Sequence, residues 1–417
     1  MLLPHGTAGD VLPYIWLGRR LLEHGHAVTM VWVESFREAA EHAGLTYIAL
    51  RDDGFADLMA SPSIWKPGAG MRLGYEFAGR CTAKYVAAVE EDIALRGPPD
   101  LLVAPLVTFA ARLLREKLGV PFVSSSIHPF PFVSAYEVPG GLPAVRLLRM
   151  LPLPLRRLIL FRAAPYDRFA LPGVRQCCIE HGVKPPRSLR REWYHSPDGV
   201  LALFPYWYAA PQPDWPANTF QWDFPLEDMA DATPLTPELQ NFLEAGDKPV
   251  VFTLGTGNVH VRAFFEAAAK VTARLGCRAV FVTREPQQTG TSPPETFVTA
   301  YAPFSRLLPH ASAFVHHGGT GTTAMCLAAG LPQLITPLTF DQPDNAERVV
   351  RLGAGLSMNV DRFTEENAAP VLQRCLQDAS IRRCAQTCAE RLRSRRPVAD
   401  LVAWLESRMH HKRPSDS

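Results

Sequence analysis

No stretch of this 417-residue chain reaches the roughly 18 consecutive apolar residues that a membrane-spanning helix needs. A secretion signal is missing as well, because the opening Met-Leu-Leu-Pro-His-Gly has neither a basic segment nor an apolar core. The eight cysteines (Cys81, Cys177, Cys178, Cys277, Cys326, Cys375, Cys384, Cys388) show no paired Cys-x-x-Cys spacing. That argues against a metal site or disulfide framework and for free, mostly buried thiols, a usage that fits a reducing cytoplasm. Nor is one sign of charge in excess: 43 Lys and Arg stand against 41 Asp and Glu, a formal net charge of +2. No global electrostatic argument therefore favours a nucleic-acid partner.

What remains is the composition of a globular protein, 47% hydrophobic and 20% charged. At roughly 100 to 200 residues per domain the length allows two or three domains, and two is the working count. The chain opens as strand, glycine loop, helix, strand. Leu2-Leu3-Pro4 leads to Gly6-Thr7-Ala8-Gly9-Asp10, then to a helix over 13–23, with Pro13 preset for its first turn and Gly25 placed to end it, then to a strand over 27–33. Only residues 1–3 precede the loop, a clipped first strand for which a start upstream of Met1 is the expectation. Strands at 101–104 and 121–124 around a helix over 110–118 complete a parallel α/β half. A second βα series has strands at 249–254, 278–283, 313–315 and 333–336 and a helix over 261–275.

Between the halves lies the stretch 204–237, rich in proline and tryptophan (Pro205, Pro211, Pro213, Pro216, Pro225, Pro234, Trp207, Trp215, Trp222), which cannot continue a helix or a central strand. The expected organisation is a domain over 1–222, a linker over 223–237, a second domain over 238–394 and a terminal amphipathic helix and tail over 395–417. Val398, Leu401, Val402, Trp404 and Leu405 mark that helix, ahead of His410-His411-Lys412-Arg413. Residues 142–168 break the alternation, with Arg146, Arg149, Arg156, Arg157, Arg162 and Arg168 against the single acid Asp167. They read either as a lid or membrane-surface patch, or as the solvated basic face of ordinary helices.

Chemistry concentrates at strand-to-helix junctions. A strand over 313–315 runs into His316-His317-Gly318-Gly319-Thr320-Gly321-Thr322-Thr323 and then into a helix. Glycines let a backbone approach a ligand, and the first helical turn offers unpaired N–H groups and partial positive charge to an anion. With His317, Thr322 and Thr323 as further donors, the segment reads as a diphosphate cradle; a ligand-free tight turn is the bland alternative. It is no Walker loop, lacking a lysine before Ser or Thr. Asp341-Gln342 follows about eighteen residues later, either to bind vicinal sugar hydroxyls or to cap a helix. Asp10 stands either as a general base or as an N-cap.

Read together, Gly6-Thr7-Ala8-Gly9-Asp10-Val11-Leu12-Pro13, Tyr301-Ala302-Pro303, the 316–323 segment and Asp341-Gln342-Pro343-Asp344-Asn345-Ala346 resemble the family 1 glycosyltransferases of the GT-B fold. The likeness spans nearly the whole chain in order. It implies an α/β architecture of two Rossmann-like doubly wound domains facing across a cleft, acceptor in the first and nucleotide sugar in the second, with the terminal helix crossing back. Carried over, the pattern gives His317 and Thr322 to the diphosphate, helped by backbone groups at Gly319, Thr320 and Gly321. Asp341 and Gln342 go to the sugar hydroxyls, Tyr301 flanks the nucleobase, and Gly255-Thr256 reach the phosphates. The resemblance favours Asp10 as the base, with His5 as substitute.

Within the family, Trp193-Tyr194-His195-Ser196-Pro197, Leu203-Phe204-Pro205 and Gln212-Pro213-Asp214-Trp215-Pro216 resemble the catalytic chain of bacterial rhamnolipid rhamnosyltransferases; sterol and antibiotic glycosyltransferases share the other motifs. The implied reaction is inverting and metal-independent, with dTDP-rhamnose or UDP-glucose as co-substrate. His128-Pro129-Phe130-Pro131-Phe132 and the arginine-rich stretch point to a lipidic acceptor, such as a 3-hydroxyalkanoyloxyalkanoate, touched by His5, His128 and Phe130. A sterol or polyketide acceptor is the alternative. The double histidine departs from the rhamnolipid pattern and leaves the sugar open. A nicotinamide-dependent oxidoreductase is the competing class, from the glycine turn and Glu34 after the second strand, but Gly-x-x-Gly falls short of Gly-x-Gly-x-x-Gly. A catalytically silent nucleotide-binding subunit is a third reading, against which Asp10 and Asp341-Gln342 stand.

Overall fold

The computed structural model describes residues 1–409 apart from 52–53, 142–143, 163, 229–232, 256, 259–260 and 292. Two parallel sheets organise the chain. The first comprises β1 (Thr29–Trp32), β2 (Thr46–Ala49), β3 (Leu102–Pro105), β4 (Phe122–Ser126), β5 (Val200–Leu203) and β6 (Thr219–Trp222). Its strands run in two parallel sets, β1-β2 and β3-β4-β5-β6. Leu2 stitches the sets together, bridging Met30 on one side and Val103 on the other. The expected first strand is thus a single bridging residue with its flanking amides, since Pro4 cannot donate to the ladder.

The second sheet has the order β12-β11-β10-β7-β8-β9, all parallel. Its strands are β7 (Val250–Thr253), β8 (Ala279–Val282), β9 (Thr296–Thr299), β10 (Ala313–His316), β11 (Gln333–Ile335) and β12 (Gly355–Ser357). β7, β8 and β10 are buried throughout, as strands covered by helices on both faces must be. This is the GT-B arrangement of two doubly wound units.

One expectation needs correction, and one element adds to the sequence reading. The first helix runs Ala8–Glu23, so Pro13 lies in its second turn rather than its first. Thr7 supplies the N-cap instead, and the Gly9 carbonyl simply forgoes the bond that a residue 13 amide would have made. The added element is β6, a strand within the proline-rich stretch, where only a central strand was excluded. It is tolerated because β6 is an edge strand and the prolines fall outside its four residues.

The domains are joined by apolar packing as well as by the chain. One buried cluster combines Phe132, Phe204, Tyr208 and Phe224 with Leu327, Ile335, Val349 and Leu392. The terminal helix Val398–Met409 buries Leu401, Val402 and Leu405 in the core of the first domain. Trp404 stacks on Phe220 of β6 at 4.9 Å, and His26 meets Glu406 at 2.9 Å. Among the described residues no helix is long and apolar enough to cross a membrane.

Candidate functional site

Asp10 is the third residue of the Ala8–Glu23 helix. Its Oδ2 accepts from the Thr7 amide at 2.9 Å and from Thr7 Oγ1 at 3.1 Å, closing the helix N-terminus on itself. Gly6 makes this possible: a Cβ there would lie 2.4 Å from Asp10 Oδ2, and its φ of +120° suits glycine. Burial pushes the Asp10 carboxyl up to about 6, with help from Asp341; His128 and the two Thr7 hydrogen bonds pull the other way. Asp10 is therefore neither a free-standing base nor the N-cap itself. It belongs to a cap whose carboxylate still lines the cleft.

Across the cleft, the Thr320–Ala329 helix begins after Gly319 with no side-chain cap. Thr323 N bonds Gly319 O at 2.9 Å, and the amides before it have no partner within the helix. This open helix end points at the other: a Cβ on Gly321 would stand 3.4 Å from Gly9 Cα. The first turns of two helices, each carrying partial positive charge, thus converge on one space. His317 lines it, packed so tightly that a Cβ on Gly255 or on Gly319 would come within 2.7 or 2.6 Å of its ring. Burial holds the imidazole down to about 4, so it is neutral at pH 7, and its buried Nδ1 has no partner among the described residues.

Not every residue of the glycine-rich segment faces the cleft. His316 Nδ1 accepts from Gly318 N at 3.0 Å and its Nε2 meets Gln333 Oε1 at 2.9 Å, in the fully buried end of β10. Thr323, expected to aim a donor at the ligand, is 1% exposed and points inward. Thr322 and Gly321 do line the cleft. Thr320 Oγ1 donates to Asp341 Oδ2 at 2.7 Å, so its hydroxyl orients the carboxylate.

Asp341 precedes the Gln342–Arg351 helix without capping it through its side chain. Gln342 Oε1 accepts from Leu338 N at 2.8 Å and Thr339 N at 3.2 Å, fixing the loop that presents Asp341. Asn345, which motif reading had not assigned a role, is the hub of this corner. Its fully buried amide donates to Gly318 O (2.9 Å), Thr320 Oγ1 (3.1 Å) and Asp341 Oδ2 (2.7 Å), while its oxygen accepts from Tyr208 OH at 2.8 Å. The spacing Asp341, Asn345 (i, i+4) was the available signal. Phe340 was missed altogether. It lines the cleft with φ of +58°, a left-handed conformation that a non-glycine residue adopts at a cost of about 1–3 kcal/mol.

The Tyr301 hydroxyl donates to the Asp228 carbonyl, whose carboxylate in turn takes Ser305 N at 2.6 Å and Ser305 Oγ at 3.1 Å. Linker and second domain thereby fix the ring at one end of the cleft, near Arg284. Gly255 lines the cleft beside the His317 ring; Thr256 lies outside the described residues. The cleft as a whole has a volume of about 440 Å³, and its opposite half is apolar, with Phe55, Met59, Trp65, Met71, Tyr75 and Phe130. His5 sits at its back, its ring 4.7 Å from Trp32, its Nδ1 buried without a partner and its pKa held down to about 4 by burial. His128 also lines the cavity, its ring 6.4 Å from Phe130 and its Nδ1 likewise buried and unpartnered. Glu34 is elsewhere: it is exposed and pairs with Arg37 at 2.7 Å, so the first βαβ offers no carboxylate to a dinucleotide ribose at that position.

Comparison with known proteins accords with this geometry. Residues 1–132 match the glycosyltransferase family 28 N-terminal domain, and residues 271–407 match the erythromycin biosynthesis protein CIII-like C-terminal domain. The O-mycaminosyltylonolide 6-deoxyallosyltransferase of Streptomyces fradiae is 30% identical over 98% of this chain and 97% of its own length. A sterol 3-beta-glucosyltransferase of Debaryomyces hansenii is 25% identical over 99% of this chain, which spans 27% of that longer protein. The solved structure of glycosyltransferase VinC in complex with dTDP superposes with a TM-score of 0.69 at 20% identity, covering 98% of both chains. The chain belongs to the family 1 glycosyltransferases of the GT-B fold, enzymes that depend on a nucleotide sugar.

Proposed function

We propose that this enzyme transfers a hexose from a nucleoside-diphosphate sugar to a hydroxyl of a hydrophobic acceptor by a single displacement with inversion. The observation that carries this reading is the approach of the Asp10 helix end to the uncapped Thr320–Ala329 helix end, a base and an anion site facing one another. The acceptor oxygen attacks the anomeric carbon as its proton passes to Asp10. The bond from that carbon to the diphosphate oxygen breaks, and the departing charge is received by the first-turn amides, His317 and Thr322. Asp341, held by Thr320 and Asn345, and Gln342 grip the sugar hydroxyls, while Tyr301 flanks the nucleobase. Pre-organised donors of this kind are worth about 3 to 4 kcal/mol each.

The apolar half of the cleft supports a hydrophobic acceptor, with His5, His128 and Phe130 touching it. dTDP-rhamnose with a 3-hydroxyalkanoyloxyalkanoate lipid is the narrow form of the proposal. A sterol or polyketide glycosylated from UDP-glucose or a dTDP sugar is the second form, favoured by the near full-length match to the tylonolide enzyme. All eight cysteines are free thiols, which supports a reducing compartment. Incubation with dTDP-rhamnose or UDP-glucose and a panel of hydroxy-lipid, sterol and macrolide acceptors, with products identified by mass and anomeric coupling, tests the proposal. A product of retained anomeric configuration, or none with any hydrophobic alcohol, would overturn it.

A further inference from the structure

Two short helices in the first domain seat Val145, Leu148, Leu153 and Leu160 on a small apolar cluster and leave a larger apolar face outside. In Leu153–Arg162 Leu160 is the one buried residue, whereas Leu155, Leu158 and Ile159, spaced i, i+3, i+4, form an outward stripe 38–48% exposed. The Val145–Met150 helix has no fully buried residue, only Val145 and Leu148 partly covered, and its Leu147 and Met150 are 61% and 80% exposed. An arginine faces the protein instead: Arg156 gives its guanidinium to the carbonyls of Leu151 at 2.9 Å and Ala135 at 3.0 Å. Arg157 and Arg162 on the same helix as the stripe, Arg146 on the preceding one and Arg168 at the start of the next are exposed and have no carboxylate partner among the described residues.

We infer that these helices form a docking face for an anionic lipid bilayer, the apolar stripe lying at the headgroup boundary and the arginines on lipid phosphates. Charge decides the occupant. A second copy seated on the same face by a twofold axis would press four unpaired arginines against their own images, whereas an anionic surface neutralises them. The face also continues into the cleft. Ala164, Pro165 and Tyr166, directly beyond the second helix, line the cavity, and Tyr166 stacks at 5.3 Å on Tyr75 of its apolar half. A bilayer-dissolved acceptor thus reaches the acceptor half without crossing open water. This delivery step rests on the hydrophobic-acceptor proposal; the docking itself does not.

The test is co-sedimentation of the full chain with phosphatidylglycerol-containing and with pure phosphatidylcholine vesicles, at low and high salt. Binding to the anionic vesicles, weakened by salt, is expected. R157E/R162E should lose at least about fivefold per arginine replaced, the equivalent of about 1 kcal/mol each. L158E/I159E, and independently L147S/M150S on the neighbouring helix, should lose about tenfold or more. Every altered side chain is exposed, so the circular dichroism spectrum, unfolding midpoint and nucleotide affinity should be unchanged. Three results would overturn the docking face: no vesicle binding by the unmodified chain, binding indifferent to the variants, or a concentration-dependent dimer that the same variants abolish. An unmodified chain that binds no vesicle yet keeps nucleotide binding and Asp10-dependent transfer sinks this inference alone. Vesicle binding kept with no transfer sinks the transferase mechanism instead.

Discussion

Asp10 sits where an ionised carboxylate is least comfortable, and that discomfort has two measurable consequences. Its pKa of about 6 places the acid limb of the kcat/KM profile near pH 6, with activity present above and lost below as the base becomes protonated. The stability sign is opposite. A carboxyl raised from about 4 to about 6 favours the folded state when protonated, so its contribution is full below pH 4 and lost as pH rises through 6. Asp10→Asn keeps an oxygen for the Thr7 amide but carries no charge. At pH 7.5 it should therefore raise the unfolding free energy by ~1 to 3 kcal/mol, read by denaturant titration. His317→Ala should weaken dTDP or UDP binding and reduce turnover by roughly 10²- to 10³-fold, the loss of one pre-organised donor, measured by calorimetry and steady-state kinetics. Motif order made Asp10, His317 and Asp341 legible. It could not reveal that His316 and Thr323 turn inward, since that depends on how β10 and its helix pack.

At the scale of elements, β1, β3, β4, β7, β8, β10 and β11 were readable from short apolar runs between glycine and proline signals, whereas β2, β5, β9, β12 and the long Ala69–Arg96 helix were not. Two placements share a cause. Pro13 inside a helix and the strand β6 within a proline-rich stretch are both tertiary outcomes, one fixed by a Thr7 cap and the other by edge placement. The Gln342–Arg351 helix offers a sharper lesson. Asn345 holds three acceptors of the donor corner and takes the Tyr208 hydroxyl from the first domain, so the interdomain seam and the Asp341 carboxylate share one residue. Asn345→Ala should destabilise the fold by about 1–3 kcal/mol, through a buried Tyr208 hydroxyl left without its acceptor. It should also raise the KM for the nucleotide sugar more than Tyr208→Phe, which removes the seam bond and keeps the Asp341 contact.

On the scale of the whole molecule, a shared apolar cluster and a returning terminal helix tie together two units whose strand-to-helix junctions line one cleft. Saturating dTDP or UDP should raise the thermal midpoint, by the equivalent of about 2.7 kcal/mol at a hundred times Kd, while NAD should not. The measurement closest to the central claim compares nucleotide affinity and turnover in the unmodified chain and in Asp10→Asn. If Asp10 takes the acceptor proton and the second domain alone holds the diphosphate, Kd for dTDP or UDP will barely change while turnover falls by roughly 10²- to 10⁴-fold. Near-normal turnover in Asp10→Asn would contradict the account.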